Sequence, residues 1–331
     1  MVLDKPRPAE ASPLTLREVP TPTPKENEIR VRVRCCGMCH TDLHTVEGDL
    51  SLPRIPVIPG HQIVGSVDAL GPGAHAFKEG DRVGIPWLHW TDGVCEYCRR
   101  DLENLCDKGR FTGYHVDGGY AEYAIVHQDF AHRLPSFFSD ENAAPLLCAG
   151  IIGYRSYRLS GIRRGQRLGL FGFGASAHLV LQLARYEECE MYVFTRAKVH
   201  QDLATRLGAS WVGGAEDSPP EKLDAAIIFA PAGGLVPLAL SHLRKAGSLT
   251  LAGITMSAIP QMEYSLLYQE RTIRSVANST RRDCAEFLDV AAAAAIETEV
   301  QIFELEKANE ALVALKNSRI EGAGVLRVAT G

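Results

Sequence analysis

Gly172-Phe173-Gly174-Ala175-Ser176-Ala177 stands directly after an apolar run, Leu168–Phe171, and opens a stretch in which Leu179, Val180, Leu183 and Ala184 fall on one helical face. A strand, a glycine turn and a helix in that order leave few folds open. The first glycine permits the tight turn, the second lets backbone amides approach a pyrophosphate, and the small Ala177 lets helix and strand pack closely. Gly172, Gly174 and Ala177 are therefore candidate cofactor-binding positions. A glycine turn alone is a weak sign, but here further apolar runs follow at the rhythm of a parallel sheet.

Those runs are Arg167–Phe171, Met191–Thr195, Ala225–Phe229, Ser248–Ile254 and Thr272–Ala277, with helical patterns over Ala175–Tyr186 and Val199–Leu207. Alternation of this kind predicts an α/β, doubly wound sheet with crossover helices. The end of the second strand in such a sheet usually carries the acidic residue that binds the ribose 2′-hydroxyl of NAD. Here it reads Thr195-Arg196-Ala197-Lys198, with no carboxylate to repel a phosphate. Thr195 as a donor and Arg196 as a planar fork suit a 2′-phosphate, so NADP(H) is expected over NAD(H). The plainer alternatives are that Arg196 stacks on adenine or is a solvated loop residue.

The region before about Pro145 has a different texture, with short strand patterns at Leu14–Val19 and Glu28–Arg34 joined by a proline-rich turn. It predicts a β-rich module. The last stretch mixes a helix near Cys284–Ile296, an amphipathic helix over Leu305–Asn317 and a final strand Gly324–Val328, a tail expected to pack back on the first module. At 331 residues the chain exceeds what one core usually serves, which suggests two domains. Boundaries of 1–150 with 281–331 for the β-rich domain and 151–280 for the dinucleotide domain follow from the change of rhythm.

Charge narrows the partners. Lys+Arg number 35 against Asp+Glu 40, a formal net charge of -5, so no basic stripe for nucleic acid is evident. The longest nearly apolar run, Ala225–Leu240, is broken by Pro231, Gly233, Gly234 and Pro237 into strand, turn and helix start, so no membrane span is expected. The first ten residues carry Asp4 and prolines rather than the apolar stretch of an export signal, and a cytoplasmic location is the expectation. Nine cysteines in a reducing compartment point to metal or free thiols before disulfides.

Their spacing separates two groups. Cys95, Cys98 and Cys106 lie in a loop between Gly93 and the charged run Arg99–Glu103, and three thiolates there suit a tetrahedral structural zinc that needs one more ligand. Asp92, three residues before Cys95, is the best candidate, with Asp101 and Asp107 as alternatives. Three reduced cysteines without metal is the bland reading. The other group, Cys39-His40-Thr41-Asp42-Leu43-His44, Gly60-His61-Gln62 and Cys148-Ala149-Gly150, is unremarkable from spacing alone.

The string Cys36-Gly37-Met38-Cys39-His40-Thr41-Asp42-Leu43-His44 nevertheless resembles the catalytic segment of zinc-dependent alcohol dehydrogenases of the medium-chain dehydrogenase/reductase superfamily. So do Pro59-Gly60-His61, Gly80-Asp81-Arg82-Val83-Gly84, Glu103-Asn104-Leu105-Cys106, Gly118-Gly119-Tyr120-Ala121-Glu122-Tyr123 and Leu147-Cys148-Ala149-Gly150, in the same order along nearly the whole chain. The resemblance implies a Rossmann cofactor domain beside a GroES-like catalytic domain, with the active site in the cleft between them. It implies a catalytic zinc on Cys39, His61 and Cys148, with Asp42 orienting His61. Thr41 would hydrogen-bond the alcohol oxygen and His44 would pass its proton to solvent through the nicotinamide ribose.

It further implies that His40 touches the cofactor pyrophosphate, that Trp87 and Leu88 line the alcohol pocket, and that Ile254 meets the nicotinamide. The substrate would be a small alcohol or aldehyde and the assembly a homodimer or homotetramer. Three departures from the family pattern stand out: Gln62 where a glutamate is usual, Asp92 where the structural lobe usually has its first cysteine, and Ile152 where a threonine commonly contacts nicotinamide. Two rivals are a zinc-independent enoyl or quinone reductase, which would lack the three ligands together, and a non-catalytic protein that binds zinc and NADP.

Overall fold

The computed structural model describes residues 1–328 and divides them into two units. One is built from residues 149–277 with 293–296, the other from 1–148, 278–292 and 297–328. Among the described residues no helix is long and apolar enough to cross a membrane.

The unit over 149–277 holds a six-stranded sheet in the order Trp211–Gly213, Glu190–Phe194, Arg167–Phe171, Leu223–Ile228, Leu243–Leu251, Thr272–Ser275, every neighbouring pair parallel. The central strands are buried on both faces, which is why they read as continuous apolar runs rather than alternating ones. The first strand lies in the middle. From it the chain winds outward to one edge, then returns to wind toward the other, so the order reverses beside Arg167–Phe171, the place where open α/β sheets bind ligands.

The helix expected over Ala175–Tyr186 has those bounds, as does the strand Arg167–Phe171. The run expected over Ser248–Ile254 is displaced at both ends, forming the strand Leu243–Leu251. The edge strand Trp211–Gly213 is only three residues long and half-buried, too short for periodicity to reveal it.

The other unit carries a mostly antiparallel seven-stranded sheet. Its order is Val300–Glu304, Ala323–Arg327, Glu28–Met38, Gln62–Leu70, Arg82–Ile85, His132–Arg133, with Tyr123–His127 also paired to Glu28–Met38. Glu28–Met38 runs four residues beyond the expected end at Arg34, because Cys35 to Met38 are buried on every side and so show no alternation. The tail joins this sheet: Ala323–Arg327 pairs antiparallel with Cys35–Met38. The strand expected over Leu14–Val19 shrinks to Leu14–Thr15, since Leu16 and Val19 lie exposed outside any sheet.

Two features of this unit set up the site. Gly37 pairs with Gln62, so the residues that follow one strand and precede the other are brought side by side. A small second sheet, Leu88–Trp90 against Arg110–Phe111, brackets the loop of residues 91–109 at its base.

Candidate active site

Cys39 ends the long strand and begins the helix His40–Glu47. Its thiol accepts the Thr41 N–H at 3.3 Å while its own N–H donates to Asp42 Oδ2 at 2.9 Å, a reciprocal cap in which a cysteine takes the usual place of serine or threonine. His61 immediately precedes the partner strand and is 1% exposed. Cys148 closes a short 3₁₀ segment, Ala144–Leu147. The three donor atoms form a triangle: Cys39 Sγ to His61 Nε2 3.4 Å, His61 Nε2 to Cys148 Sγ 3.4 Å, Cys39 Sγ to Cys148 Sγ 3.7 Å.

A tetrahedral zinc with Zn–S of about 2.3 Å and Zn–N of about 2.0–2.1 Å separates its ligand atoms by about 3.5–3.8 Å. The triangle fits that ion closely. Three protein donors leave one tetrahedral corner for a small molecule, the pattern of a catalytic rather than a structural site. The other ring nitrogen of His61, Nδ1, donates to Asp42 Oδ1 at 2.9 Å, which fixes the tautomer that offers Nε2 to a metal.

Electrostatics point the same way. Burial opposes charge on His61, yet Asp42 and Cys39 beside it raise its pKa to about 10. Burial likewise pushes Asp42 up, partly offset by His61. The hydrogen bond from Cys148 holds Cys39 well below the ordinary thiol range, and the same bond holds Cys148 above it. A divalent cation binds Cys39 and Cys148 as thiolates and His61 through a bare Nε2, so metal binding displaces protons from the cluster.

Around this triangle Trp87 meets His61 edge-on at 5.0 Å and stacks on Phe111 at 5.1 Å, with Tyr114 at 5.8 Å. Leu88 is different: it is buried in the apolar core of its unit and backs the wall rather than facing outward. Thr41 is buried on the same helix, its side chain in hydrogen-bonding reach of the Cys39 thiol. His44 follows one turn later, partly exposed, and His40 is exposed at the first helical position. Gln62 is buried, its side chain packed where Gly37 lacks a Cβ, and its Nε2 has no partner among the described residues.

The second cluster lies in the bracketed loop. Asp92, Cys95, Cys98 and Cys106 bring one ligand atom each within 4.8 Å of the others. Asp101 and Asp107 are exposed and stand outside it. Asp92 Oδ1 accepts the Val94 and Cys95 N–H groups at 3.0 Å each, bonds that hold its carboxyl well below the usual range. Cys98 is pushed up to about 12, first by burial and then by Cys95, so its thiol stays protonated until a cation displaces the proton.

In the other unit Gly172 has φ +86, and a Cβ there would come within 2.9 Å of the Ala230 Cβ. Gly174 caps the helix Ala175–Tyr186, and a Cβ on it would meet nothing within 4 Å. The protein's own packing thus asks for the first glycine, and the second leaves open space before the helix amides, as an approaching pyrophosphate needs. Ala177 is fully buried between helix and sheet, Thr195 is buried at its strand end, and Arg196 and Ile254 are exposed.

Residues 25–136 match the family model of the alcohol dehydrogenase GroES-like domain. A Mycobacterium tuberculosis protein described as probable alcohol dehydrogenase AdhA is 48% identical over 330 residues, covering 98% of this chain and 95% of that one. The chain belongs to the zinc-containing medium-chain alcohol dehydrogenases. An alcohol dehydrogenase of Geobacillus stearothermophilus is 33% identical over 96% of both chains. Among solved structures a cinnamyl alcohol dehydrogenase from Sorghum bicolor superposes with a TM-score of 0.88 at 26% identity, covering 97% of this chain and 96% of that one. As a member of this family the enzyme interconverts alcohols and carbonyl compounds with a nicotinamide cofactor. Sequence spacing gave no sign of the aromatic wall formed by Phe111 and Tyr114, which only the pairing of Leu88–Trp90 with Arg110–Phe111 assembles.

Proposed function

We propose an alcohol dehydrogenase that prefers NADP(H), with its catalytic zinc on Cys39, His61 and Cys148 and a second, structural zinc on Asp92, Cys95, Cys98 and Cys106. The observation that carries the catalytic reading is the 3.4–3.7 Å triangle of donor atoms with Asp42 behind His61. Zinc bound there supplies the Lewis acidity that polarises the substrate oxygen. Thr41 Oγ1 hydrogen-bonds that oxygen and orients it. Along the helix, the partly exposed His44 would take the released proton and pass it to solvent. Gly172, Gly174 and Ala177 of the doubly wound unit would hold the nicotinamide cofactor, which would supply the hydride chemistry when bound. Substrates are small primary or secondary alcohols and the matching aldehydes or ketones, with Trp87 as the apolar wall beside His61.

Stripping the enzyme with a chelator and restoring zinc tests the catalytic reading. Alcohol oxidation should vanish and return with the metal, and undiminished turnover by metal-free protein would refute it.

The cofactor preference rests on the strand end. No carboxylate follows Phe194, and Arg196 is exposed with no partner among the described residues, a planar fork free for a 2′-phosphate. Thr195→Asp with Arg196→Ala should move the ratio of kcat/KM for NADP(H) over NAD(H) at least about tenfold toward NAD(H), the value of one or two charge-assisted hydrogen bonds. An unmodified enzyme that prefers NADH would contradict the reading. We further propose a homodimer or homotetramer in the cytoplasm, which sedimentation of the purified protein and fractionation of the source cells check.

A further inference from the structure

Gly169 stands in the middle of the buried strand Arg167–Phe171, where a glycine weakens the strand unless another group needs the room. A Cβ there would come within 2.5 Å of Leu223 and 3.3 Å of the Phe194 ring. The space admits a stack of rings: Phe171 lies face to face with Phe194 at 4.1 Å, and His242, the last residue of the helix Leu235–His242, stacks on Phe194 at 5.2 Å. His242 is buried, and its Nε2 donates to Ala215 O at 3.1 Å. Ala215 belongs to a turn closed on itself, with the Gly214 N–H donating to Asp217 Oδ2 at 2.6 Å and the Asp217 N–H to Gly214 O at 3.2 Å. Among the described residues the His242 bond is the one hydrogen bond that ties this turn to the rest of its unit. The turn follows the three-residue edge strand Trp211–Gly213, whose Gly213 O accepts the Thr195 N–H at 2.8 Å.

We propose that His242 is a positioning residue for NADP(H), anchoring the end of the edge strand so that Thr195 and Arg196 are held ready for the 2′-phosphate. This rests on the reading of Thr195-Arg196 as the 2′-phosphate site. A strand of three residues at the edge of a sheet makes too few bonds to fix its own end, and Thr195 leans on that end through the Gly213 carbonyl. The buried His242 ring, stacked on Phe194, supplies the missing anchor through Ala215. Its path to the site runs His242, Ala215, Gly213, Thr195, so it acts through the backbone rather than by touching the phosphate. A strand end left loose must be ordered when the cofactor binds, and that ordering weakens affinity. NAD(H) has no 2′-phosphate and draws less on this end, so the effect falls on NADP(H).

The test compares zinc-loaded wild type, His242→Phe, His242→Gln, the double variant Thr195→Asp/Arg196→Ala and that double variant with His242→Phe added. Two readouts apply: the Kd for NADP+ and for NAD+, titrated by protein fluorescence, and hydrogen exchange of peptides spanning Thr195 in the cofactor-free enzyme. His242→Phe keeps a ring for Phe194 to stack on and loses the bond to Ala215. Its Kd for NADP+ should rise about fivefold, the value of one hydrogen bond, with that for NAD+ within about twofold, and the Thr195 amide should exchange faster. His242→Gln, which offers an N–H donor in place of Nε2, should recover part of both. In the Thr195→Asp/Arg196→Ala background His242→Phe should change the NADP+ constant by less than about twofold. If wild type binds NADP+ the tighter and His242→Phe weakens both cofactors equally, or leaves the NADP+ constant unchanged, the His242 proposal fails while the strand-end reading stands. A wild type that binds NAD+ the tighter would overturn the strand-end reading and the proposal together. An equal loss of NADP+ affinity from His242→Phe in both backgrounds would separate His242 from Thr195 and Arg196 and overturn the proposal alone.

Discussion

The two thiol clusters of this enzyme are assembled in opposite ways. Asp92, Cys95, Cys98 and Cys106 come from one loop fifteen residues long, where two 3₁₀ turns and the Leu88–Trp90 pairing are the only regular structure. Cys39, His61 and Cys148 are separated by 22 and 87 residues; a strand register brings the first two together and the end of a 3₁₀ segment brings the third to them. A site of the first kind owes its shape to the metal that fills it, as small zinc lobes generally do. A site of the second kind is arranged by the sheet before any metal binds, and it leaves a corner free. Local sequence makes a closed structural site, and tertiary register makes an open, reactive one.

That contrast can be broken from either side. The largest effect should come from His61→Ala, which removes one of three ligands from a prearranged site. Alcohol turnover should fall by at least about a thousandfold, while circular dichroism and the thermal midpoint change little. Next comes Asp42→Asn, which keeps the shape behind His61 but not the charge. Activity or catalytic-metal affinity should drop about 10- to 100-fold, the usual cost of losing an outer partner of a metal-bound histidine, and an unchanged metal titration would show that Asp42 does not support the ligand.

On the other side, Asp92→Ala should release the loop's zinc and lower the thermal midpoint by several degrees, with the first-turnover rate at 25 °C within about threefold of wild type. Asp92→Cys should restore retention against a chelator, since a fourth thiolate is a softer, tighter ligand. Zinc content unaffected by Asp92→Ala would exclude Asp92 from the ligand set.

The smallest effect concerns a histidine buried beside the loop. Glu103 of the loop clasps Arg281 through several hydrogen bonds, and burial, reinforced by Arg281, pushes the pKa of nearby His132 down to about 4. His61, just as buried, goes the other way because its neighbours are anionic. For His132 the folded value lies below the unfolded value of about 6.5. Above pH 6.5 neither state is protonated and nothing is lost. As pH falls from 6.5 toward 4 the unfolded chain takes up a proton that the folded one refuses, so stability declines, by up to about 3 kcal/mol. Urea midpoints at pH 7 and pH 5 should converge in His132→Gln relative to wild type, and an identical pH slope in both proteins would refute the assignment.

Much of the architecture was legible because buried parallel strands leave continuous apolar runs, and Gly172 and Gly174 mark where one of them turns into a helix. The expected strand Arg167–Phe171 and helix Ala175–Tyr186 have the bounds read from the sequence. The loop cluster was legible for the opposite reason, since its residues lie close in sequence. What stayed hidden depends on register. Nothing local says that Cys35 to Met38 continue a strand, because burial on all sides erases alternation. The spacing of Cys39, His61 and Cys148 carries no signal either, and resemblance to a family rather than periodicity pointed to them. Leu88 and Trp87 are adjacent in sequence, and only the pairing with Arg110–Phe111 tells which of them meets His61.

Zinc analysis of Cys39→Ala, with alcohol turnover measured on the same samples, tests the central claim most directly. The account predicts two zinc ions per chain in wild type, one in Cys39→Ala with the loop site still filled, and no measurable alcohol oxidation by that variant. A Cys39→Ala protein that keeps both ions, or that oxidises alcohols at the wild-type rate, would contradict it.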